Sequence, residues 1–356
     1  MAKIDELFRY CNDHEGSDLH LSAGLEPRIR LHGELEPVAG WSILTPQGLL
    51  TLMAEITTEA QWRGYQETSD LDFAYGLEGV ARFRCNYLGQ ENGPAAVFRI
   101  IPQKILSLED LGLPEALAKF AHLEQGLVLV TGPTGSGKST TLAAILDRIN
   151  STYSRHIVTI EDPVEFVHPN RQCVFSQREV GSDTESFSAA LRAAIRQDAD
   201  VILVGEMRDL ETISLAMTAA EMGTLVFGTL HTNSAATTIE RLIDSFPADE
   251  QAQARESLAE SLAGVVSQFL LRTTDWDGRV AATEILFRTS GLPNIIREGT
   301  TSMIRSVIQS GRGEGMQMMD DAIMQFLEQG KITPRDAYLR AADKSRFESD
   351  ASAGKG

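Results

Sequence analysis

Residues Leu127 to Ser139 read Leu-Val-Leu-Val-Thr-Gly-Pro-Thr-Gly-Ser-Gly-Lys-Ser, and this stretch decides the fold of the larger part of the chain. It opens with a short apolar run, typical of a buried strand, and ends in the pattern G-x-x-x-x-G-K-S. Apolar residues then recur at helical spacing as far as Ile149. Glycines let backbone N–H groups curve around phosphate oxygens, and the amino end of the following helix adds partial positive charge. The order strand, glycine loop, helix therefore predicts a nucleoside triphosphate site.

Individual side chains of this loop have expected roles. Lys138 is expected to reach the β- and γ-phosphates, and the hydroxyl of Ser139 to bind Mg²⁺. A dinucleotide-binding loop is disfavoured, because Thr140 stands where the pattern G-x-G-x-x-G requires its third glycine. The predicted nucleotide-binding residues are Gly132, Pro133, Thr134, Gly135, Ser136, Gly137, Lys138, Ser139 and Thr140.

Composition is typical of a globular protein. The chain has 356 residues, of which 42% are hydrophobic and 23% charged, enough for two domains or one large one. No apolar run approaches the length of a membrane span, and the start lacks the pattern of a signal peptide, so we expect a cytoplasmic protein. Cys11, Cys85 and Cys173 lie far apart and predict neither a disulfide framework nor a cysteine-rich zinc site. The formal net charge of −18 disfavours nucleic acid as the main partner.

The N-terminal part predicts a small α/β domain with a hairpin that carries two arginines. A loop centred between Glu91 and Asn92 would place Arg84 directly opposite Arg99. Opposed cations repel, so the pair is either two solvated edge residues or a clamp for an anion such as a nucleotide phosphate. The predicted strands are Asp18–Ser22, Arg28–Leu31, Leu71–Tyr75, Ala81–Leu88 and Ala95–Ile101, with a helix between Pro46 and Gly64.

Beyond a linker predicted at residues 102–114, strands alternate with helices, which predicts a largely parallel sheet covered by helices. A long helix is expected from Asp249 to Leu271, then a helical region at residues 291–345 and a disordered tail at residues 346–356. The predicted strands of the sheet are 127–131, 156–160, 201–204 and 225–229, with helices at 138–149, 184–197, 210–222 and 234–244.

Three strands of this sheet are predicted to end in polar side chains that could act on a phosphate. Glu206 follows strand 201–204 and is predicted to be the acid of a Walker B segment. There it would bind Mg²⁺, directly or through water, or contact the attacking water. In the other interpretation, Glu206 only caps the loop that follows the strand. The run Glu161 to Glu165 contains three carboxylates, of which one could orient or deprotonate the water and another could bind Mg²⁺ through water, unless the run is a solvated turn. His231 follows strand 225–229 and is either a γ-phosphate sensor or a structural histidine.

Together these stretches resemble the type II/type IV secretion ATPase superfamily, and most closely the retraction ATPases of type IV pili, the PilT family. The resemblance covers about residues 3–345, and it implies a PAS-like domain at residues 1–101 and a RecA-like ATPase core at residues 115–290. It further implies a homo-hexamer in which hydrolysis of ATP with Mg²⁺ drives pilus retraction. The matching segments are Ser17–Leu21, Arg82–Arg84, the glycine loop, Ile160–Phe166, Gly205–Asp209 and Gly228–Thr232.

The resemblance also implies roles for site residues and partners. By position, Glu165 is the catalytic glutamate of the family's Asp box and Glu206 that of Walker B. His231 approaches the γ-phosphate, and Arg84 and Arg99 stabilise charge on it. The implied partner is the platform protein of the pilus machine at the inner membrane, and a second pilus motor ATPase is a further candidate partner. The implied location is the cytoplasm, at the pilus base.

Two departures from the family pattern bear on turnover. The family's His box usually carries a second histidine where this chain has Thr224, and only the second half of a conserved C-terminal helix motif is kept in Gly291–Glu298. Thr224 favours an alternative function, that of an accessory pilus or secretion ring ATPase with weak turnover. A RecA-like nucleic-acid translocase is a further alternative, which the net charge disfavours.

Overall fold

The computed structural model describes residues 2–31, 33–101, 104–275 and 278–348, and the chain divides into two compact units. The first unit runs to Lys104 and also includes Pro163–Val167. The second comprises Ile105–Asp162 and the chain from His168 onward. The range 115–290 predicted for the ATPase core did not anticipate that Pro163–Val167 groups with the first unit. It does so because these residues contact strand residues of that unit, as when Arg82 Nε donates a hydrogen bond to the Val164 carbonyl at 3.0 Å.

Over its described residues, the first unit is a six-stranded antiparallel sheet with three helices. Its helices are α1 (Asp5–Asp13), α2 (Pro46–Ala54) and α3 (Glu59–Thr68). Its strands, β1 (Asp18–Ser22), β2 (Arg28–Leu31), β3 (Glu34–Pro37), β4 (Asp70–Leu77), β5 (Ala81–Gln90) and β6 (Gly93–Ile101), are ordered β3-β2-β1-β6-β5-β4. The five predicted strands are confirmed. Strand β3 was missed because it is an exposed edge strand without a buried face, and the predicted helix is two helices because Thr58 and Gln61 form a capping box that begins α3.

Alternation along β5 gives this strand one face in the core of the unit and one face away from it. Phe83, Cys85 and Tyr87 are fully buried, and Phe8 of α1 stacks on Phe83 with ring centroids 4.2 Å apart. Because successive side chains of a strand point to opposite faces, Arg84 lies on the face away from this core.

The second unit is built on a seven-stranded sheet in the order β13-β12-β7-β11-β10-β8-β9. The strands from β12 to β9 run parallel, and β13 pairs antiparallel with β12, which confirms the predicted largely parallel sheet. The strands are β7 (Gly126–Thr131), β8 (His156–Glu161), β9 (Val174–Glu179), β10 (Val201–Val204), β11 (Leu225–Leu230), β12 (Leu262–Arg272) and β13 (Arg279–Phe287). The helices are α4 (Ala118–Ala121), α5 (Lys138–Thr152), α6 (Phe187–Ala194), α7 (Leu210–Glu221), α8 (Ala235–Asp244), α9 (Gln251–Ser261), α10 (Leu292–Arg297), α11 (Ile304–Ser310), α12 (Met319–Glu328) and α13 (Pro334–Arg340), with 3-10 turns at Glu115–Leu117, Thr301–Met303, Gly311–Glu314 and Lys344–Phe347.

Helices cover both faces of this sheet. Alternate residues of β7 pack in two separate apolar clusters, one containing Leu129 and Ala216 of α7, the other Val130 and Ile145 of α5. With both faces covered, ligands of such sheets bind at the edge where the parallel strands end. The carboxyl ends of β7, β11, β10 and β8 share that edge.

The helix predicted from Asp249 to Leu271 is wrong beyond Ser261. Helix α9 ends there, and the chain continues as β12, which pairs with β7 on one side and β13 on the other. A strand buried on both faces shows no polar alternation, so its apolar residues matched a helical spacing by coincidence. Gly264 marks the close packing, because a Cβ atom there would lie 2.4 Å from the Phe120 ring.

The end of the described chain is ordered further than predicted. The 3-10 turn Lys344–Phe347 overlaps the tail predicted to begin at residue 346, and Phe347 is fully buried. The remainder of the predicted tail, Ser349–Gly356, lies outside the described residues. Over the described ranges, none of the helices combines the length and the apolar character needed to span a bilayer.

Candidate active site

The glycine loop lies between β7 and α5, at the carboxyl edge of the sheet. Gly132, Gly135 and Gly137 have φ angles of 145°, 76° and 85°, values that side chains rarely tolerate. A Cβ atom on Gly132 would also lie 2.2 Å from the Gln268 carbonyl oxygen. The Gly132 N–H donates to the Leu230 carbonyl at 3.2 Å, which fixes the start of the loop beside the end of β11.

The side chains of the loop are positioned where they could bind an anion. Lys138 Nζ donates to the carbonyl oxygens of Gly132 at 2.9 Å and Pro133 at 3.2 Å, so the ammonium group lies against the loop. The Ser136 hydroxyl is buried and has no hydrogen-bond partner among the residues that the structure describes, which fits a group that a phosphate oxygen would satisfy. Ser139 and Thr140 lie in the first turn of α5, while Pro133, Thr134 and Gly135 form the exposed rim.

Gln268 of β12 supports the loop, and the sequence analysis did not predict it. Its side chain is buried; Nε2 donates to the Ser136 carbonyl at 2.7 Å and Oε1 accepts from Thr141 Oγ1 at 2.8 Å. The neighbouring Ser267 shares a hydrogen bond of 2.8 Å with Thr131, the residue before the loop. The missed signal was the polar pair at 267 and 268 inside an apolar run, which was assigned to a helix.

Glu206 and His231 meet beside the loop. Glu206 follows β10 and His231 follows β11; the two strands are neighbours, and His231 Nε2 lies 3.0 Å from Glu206 Oε1. Arg208, which was not among the predicted site residues, donates to the other carboxylate oxygen at 2.7 Å. The hydrogen bond from Arg208, with a smaller contribution from His231, lowers the pKa of Glu206 against the opposing effect of burial. Glu206 is therefore an ionised acceptor at neutral pH.

The carboxylates that follow β8 separate between the two units. Glu161 accepts a hydrogen bond from Thr159 at 2.7 Å and, with Asp162, belongs to the second unit. Glu165 belongs to the first unit, where Arg84 Nη1 lies 3.9 Å from its Oε1. The three acids therefore belong to two units, with Pro163 standing between Asp162 and Glu165 in the chain.

The predicted hairpin register is confirmed, because Arg84 of β5 lies directly opposite Arg99 of β6. Each arginine nevertheless has an acidic neighbour. Arg99 Nε donates to the buried carboxylate of Asp18 at 2.8 Å, although the arginine side chain is 70% exposed, and Arg84 is near Glu165. These carboxylates offset the repulsion that we expected between the two arginines. Repulsion between the arginines is therefore not by itself an argument that the pair binds an anion.

Comparison with known proteins places the chain in a family. A family model described as Type II/IV secretion system protein matches residues 28–339. The chain belongs to this family. It is 48% identical over 344 residues to the type IV pilus retraction ATPase PilT of Pseudomonas aeruginosa, covering 97% of this chain and 99% of that relative. It is also 49% identical over 315 residues to a twitching motility protein of Neisseria gonorrhoeae, covering 88% and 84% of the two chains.

A solved structure gives the same result. The crystal structure of the pilus retraction motor PilT with bound ADP matches the fold with a TM-score of 0.90 at 42% identity, and the match covers 98% of this chain and 99% of that one. The two-unit α/β architecture described above is therefore the architecture of a family member.

Thr224, the departure from the family's His box, lies far from the phosphate loop of its own unit. Its carbonyl accepts a hydrogen bond from the Gly126 N–H at 3.1 Å, at the amino ends of β11 and β7. His231 follows the other end of β11, and seven residues of strand span roughly 23 Å at about 3.3 Å each. Within its own unit, Thr224 therefore lies at the sheet edge opposite the phosphate loop, and a weaker turnover caused by the loss of a polar contact at this position stays a prediction.

Substituting Thr224 with histidine is expected to leave ATP turnover within about twofold of the parent, because the position lies at the opposite sheet edge from the loop. Phosphate release at saturating ATP measures this, with His231→Ala as the variant that should lose turnover. A rise of about tenfold in Thr224→His, equivalent to about 1.4 kcal/mol of barrier, would support the accessory interpretation.

A groove runs beside the glycine loop of the second unit. Residues 133–136 form one wall, and the other consists of the end of β12, the start of β13 and one face of α13. Leu270 supplies apolar surface, and the charged side chains that line the groove are those of Arg272, Arg279, Arg340 and the single acid Asp336, so its lining is positive on balance. The groove therefore offers apolar and positively charged contacts next to the loop.

The oxygen donors near the loop suit Mg²⁺. Among the described residues, no three or more His, Cys, Asp or Glu side chains cluster as a metal-binding group. In nucleotide sites, however, Mg²⁺ takes one or two protein oxygens together with phosphate oxygens and water. The Ser139 hydroxyl and the Glu206 carboxylate are donors of that type.

Proposed function

We propose that this chain is an Mg²⁺-dependent ATPase and the subunit of a hexameric motor that powers retraction of type IV pili. The observation that carries the proposal is the single sheet edge at which the glycine loop, Glu206 and His231 converge. Near full-length similarity to a retraction ATPase and to an ADP-bound retraction motor supports both the nucleotide and the mechanical role.

Within this proposal, the loop binds and orients the triphosphate. Backbone N–H groups, the Ser136 hydroxyl and Lys138 contact the β- and γ-phosphate oxygens. Ser139 and Glu206 would hold Mg²⁺, directly or through water, and the ion when bound neutralises charge on those oxygens. The groove beside the loop receives the nucleoside, with Leu270 against the base.

Polar residues at the strand ends then act on the γ-phosphate and the attacking water. Glu206 is an ionised acceptor that orients water, and His231, at hydrogen-bonding distance from it, senses the γ-phosphate. Glu165 is the second catalytic carboxylate, and Arg84 and Arg99 stabilise the negative charge that develops on the phosphate. Movement of Arg84 onto a phosphate would release Glu165 from its ion pair, so that this carboxylate can accept a proton from water.

The proposal is tested on the purified chain by its mass in solution and its rate of phosphate release. We expect a hexamer whose turnover requires Mg²⁺, is abolished by a chelator and does not respond to added DNA. A hexamer with very slow turnover would favour the accessory ring ATPase, and stimulation by DNA would favour a translocase. In cells, we propose cytoplasmic location at the inner-membrane platform protein of the pilus base, with a second motor ATPase as a further partner; loss of twitching in a deletion strain tests the retraction role.

Glu206→Gln is expected to reduce turnover by about 10²-fold while ATP binding stays within about threefold of the parent. Glutamine has a similar size and can still hydrogen-bond to Arg208 and His231, but it removes the negative charge. The measurements are steady-state phosphate release and titration with a fluorescent ATP analogue. Glu211→Gln is the matched control, because Glu211 pairs with Arg192 on the exposed surface of α7. Parent-level turnover in Glu206→Gln would remove Glu206 from the catalytic set.

A further inference from the structure

One buried carboxylate of the second unit has no role in the chemistry above. Glu284 of β13 is 6% exposed, and its Oε1 accepts a hydrogen bond from the Ala235 N–H at 2.8 Å. The backbone N–H of Met319 also hydrogen-bonds to this carboxylate. Ala235 is the first residue of α8 and Met319 the first residue of α12. A single side chain therefore joins the amino ends of two helices that lie far apart in sequence.

Both helix ends need such an acceptor. The first N–H groups of a helix have no partner within the helix, and the helix dipole makes that end partly positive. The residue before α12, Met318, supplies no side-chain cap, and the hydroxyl of Ser234 before α8 accepts from the Thr237 N–H rather than from that of Ala235. Burial raises the pKa of the Glu284 carboxyl, and the bonds from Ala235 and Met319 oppose that rise.

The position of Glu284 relates it to the phosphate site. Ala235 is four residues after His231, and the hydroxyls of Thr232 and Thr238 hydrogen-bond at 2.6 Å, which ties the intervening segment to α8. On the other side, Glu284 pairs across the sheet with Ser267, the residue that bonds Thr131 before the glycine loop. Glu284 thus lies between the segment that carries His231, the strand that supports the loop, and α12.

We propose that Glu284 is a positioning residue that fixes the His231 segment to α12. When the γ-phosphate leaves and the His231 segment shifts, Glu284 would shift the start of α12 with it. The proposal rests on the proposed ATPase function. It adds to that function a structural link by which the nucleotide bound at the active site influences the C-terminal helices. The proposal requires that the start of α8 can change its position, and that both the bound phosphate and α12 influence that position.

A merely structural role for Glu284 predicts a different result, namely lost stability with unchanged chemistry in the folded fraction. Asp320 provides the matched control. It is also buried, at 2% exposed, and also accepts two backbone N–H groups, those of Ala342 and Asp343, but neither belongs to the His231 segment. Asp320→Asn should therefore report the cost of disturbing a buried carboxylate in α12 without breaking the link to His231.

The experiment compares Glu284→Gln and Asp320→Asn in the full chain. For Glu284→Gln we expect kcat to fall at least about tenfold, with binding of a fluorescent ATP analogue within about threefold of the parent. We also expect hydrogen exchange of residues 319–328 to respond to a non-hydrolysable ATP analogue in the parent and in Asp320→Asn, but not in Glu284→Gln. Should Glu284→Gln fail to fold, Glu284→Met carries the same test, since apolar replacements of buried charges often preserve stability.

A double substitution shows whether Glu284 acts through His231. If it does, His231→Ala combined with Glu284→Gln loses no more turnover than His231→Ala alone, whereas independent effects multiply. Multiplying effects would overturn the proposal, as would a folded Glu284 variant with parent turnover and a normal exchange response in α12. A parent chain without ATP turnover would instead contradict the proposed function itself, so the two failures are distinguishable.

Discussion

Lys138→Ala is expected to reduce ATP turnover by about 10³-fold, near the upper end of the cost of losing one preorganised donor to a developing negative charge. Lys138 Nζ lies against the carbonyl oxygens of Gly132 and Pro133, and in the proposed site it would contact the triphosphate from there. The side chain is not part of the apolar core, so the thermal unfolding midpoint should change little. Phosphate release and thermal unfolding measure the two expectations on one preparation.

The control for this prediction is Lys331→Ala. Lys331 lies in the same unit, with its ammonium group 5.8 Å from the centre of the Phe326 ring and on none of the strand ends that form the site. It should retain turnover within about twofold of the parent. Parent-level turnover in Lys138→Ala would refute the assignment of the glycine loop as the phosphate site.

Substituting Arg84 or Arg99 with alanine is expected to remove most turnover, about 10³-fold if each acts as an arginine finger, while nucleotide binding is retained. The two side chains lie opposite each other on the exposed face of the first unit. The ion pair of Arg84 with Glu165 is exposed on both sides and contributes little to folding, whereas Arg99 pairs with the buried Asp18, so its loss costs more stability. In Arg99→Ala, the buried Asp18 still has Arg30 within 4.0 Å, so the first unit should remain folded. Turnover, analogue binding and circular dichroism measure these expectations.

Arg63→Ala of α3 is the control for the arginine pair, since Arg63 is an exposed arginine of the same unit. Asp18→Asn adds a second measurement: it releases Arg99 from its ion pair and should alter turnover without changing the number of arginines. The clamp is refuted if both single alanine variants hydrolyse ATP at the parent rate. A nucleotide-bound structure in which neither guanidinium reaches a phosphate of any subunit would refute it as well.

Several features of this protein could be predicted from the sequence because they depend on local patterns. The glycine spacing between 132 and 137 specifies the phosphate loop, since the required φ angles are a local property of the backbone. A two-residue turn fixes hairpin register, so the opposition of Arg84 and Arg99 followed from the turn at Glu91 and Asn92. The four predicted core strands were apolar runs next to polar strand ends, and neighbouring parallel strands necessarily bring those ends together.

Other features were decided only by the tertiary structure. Strand β12 was predicted as a helix because burial on both faces removed the alternation that distinguishes a strand. The roles of Gln268 and Glu284 depend on contacts with residues far away in the chain, Ser136 in one case, Ala235 and Met319 in the other. Contacts between distant residues also decide that Glu165 groups with the first unit and that Thr224 lies at the amino edge of the sheet. Local sequence specifies backbone conformation and side-chain chemistry, whereas the pairing and packing of distant segments determines which side chains meet.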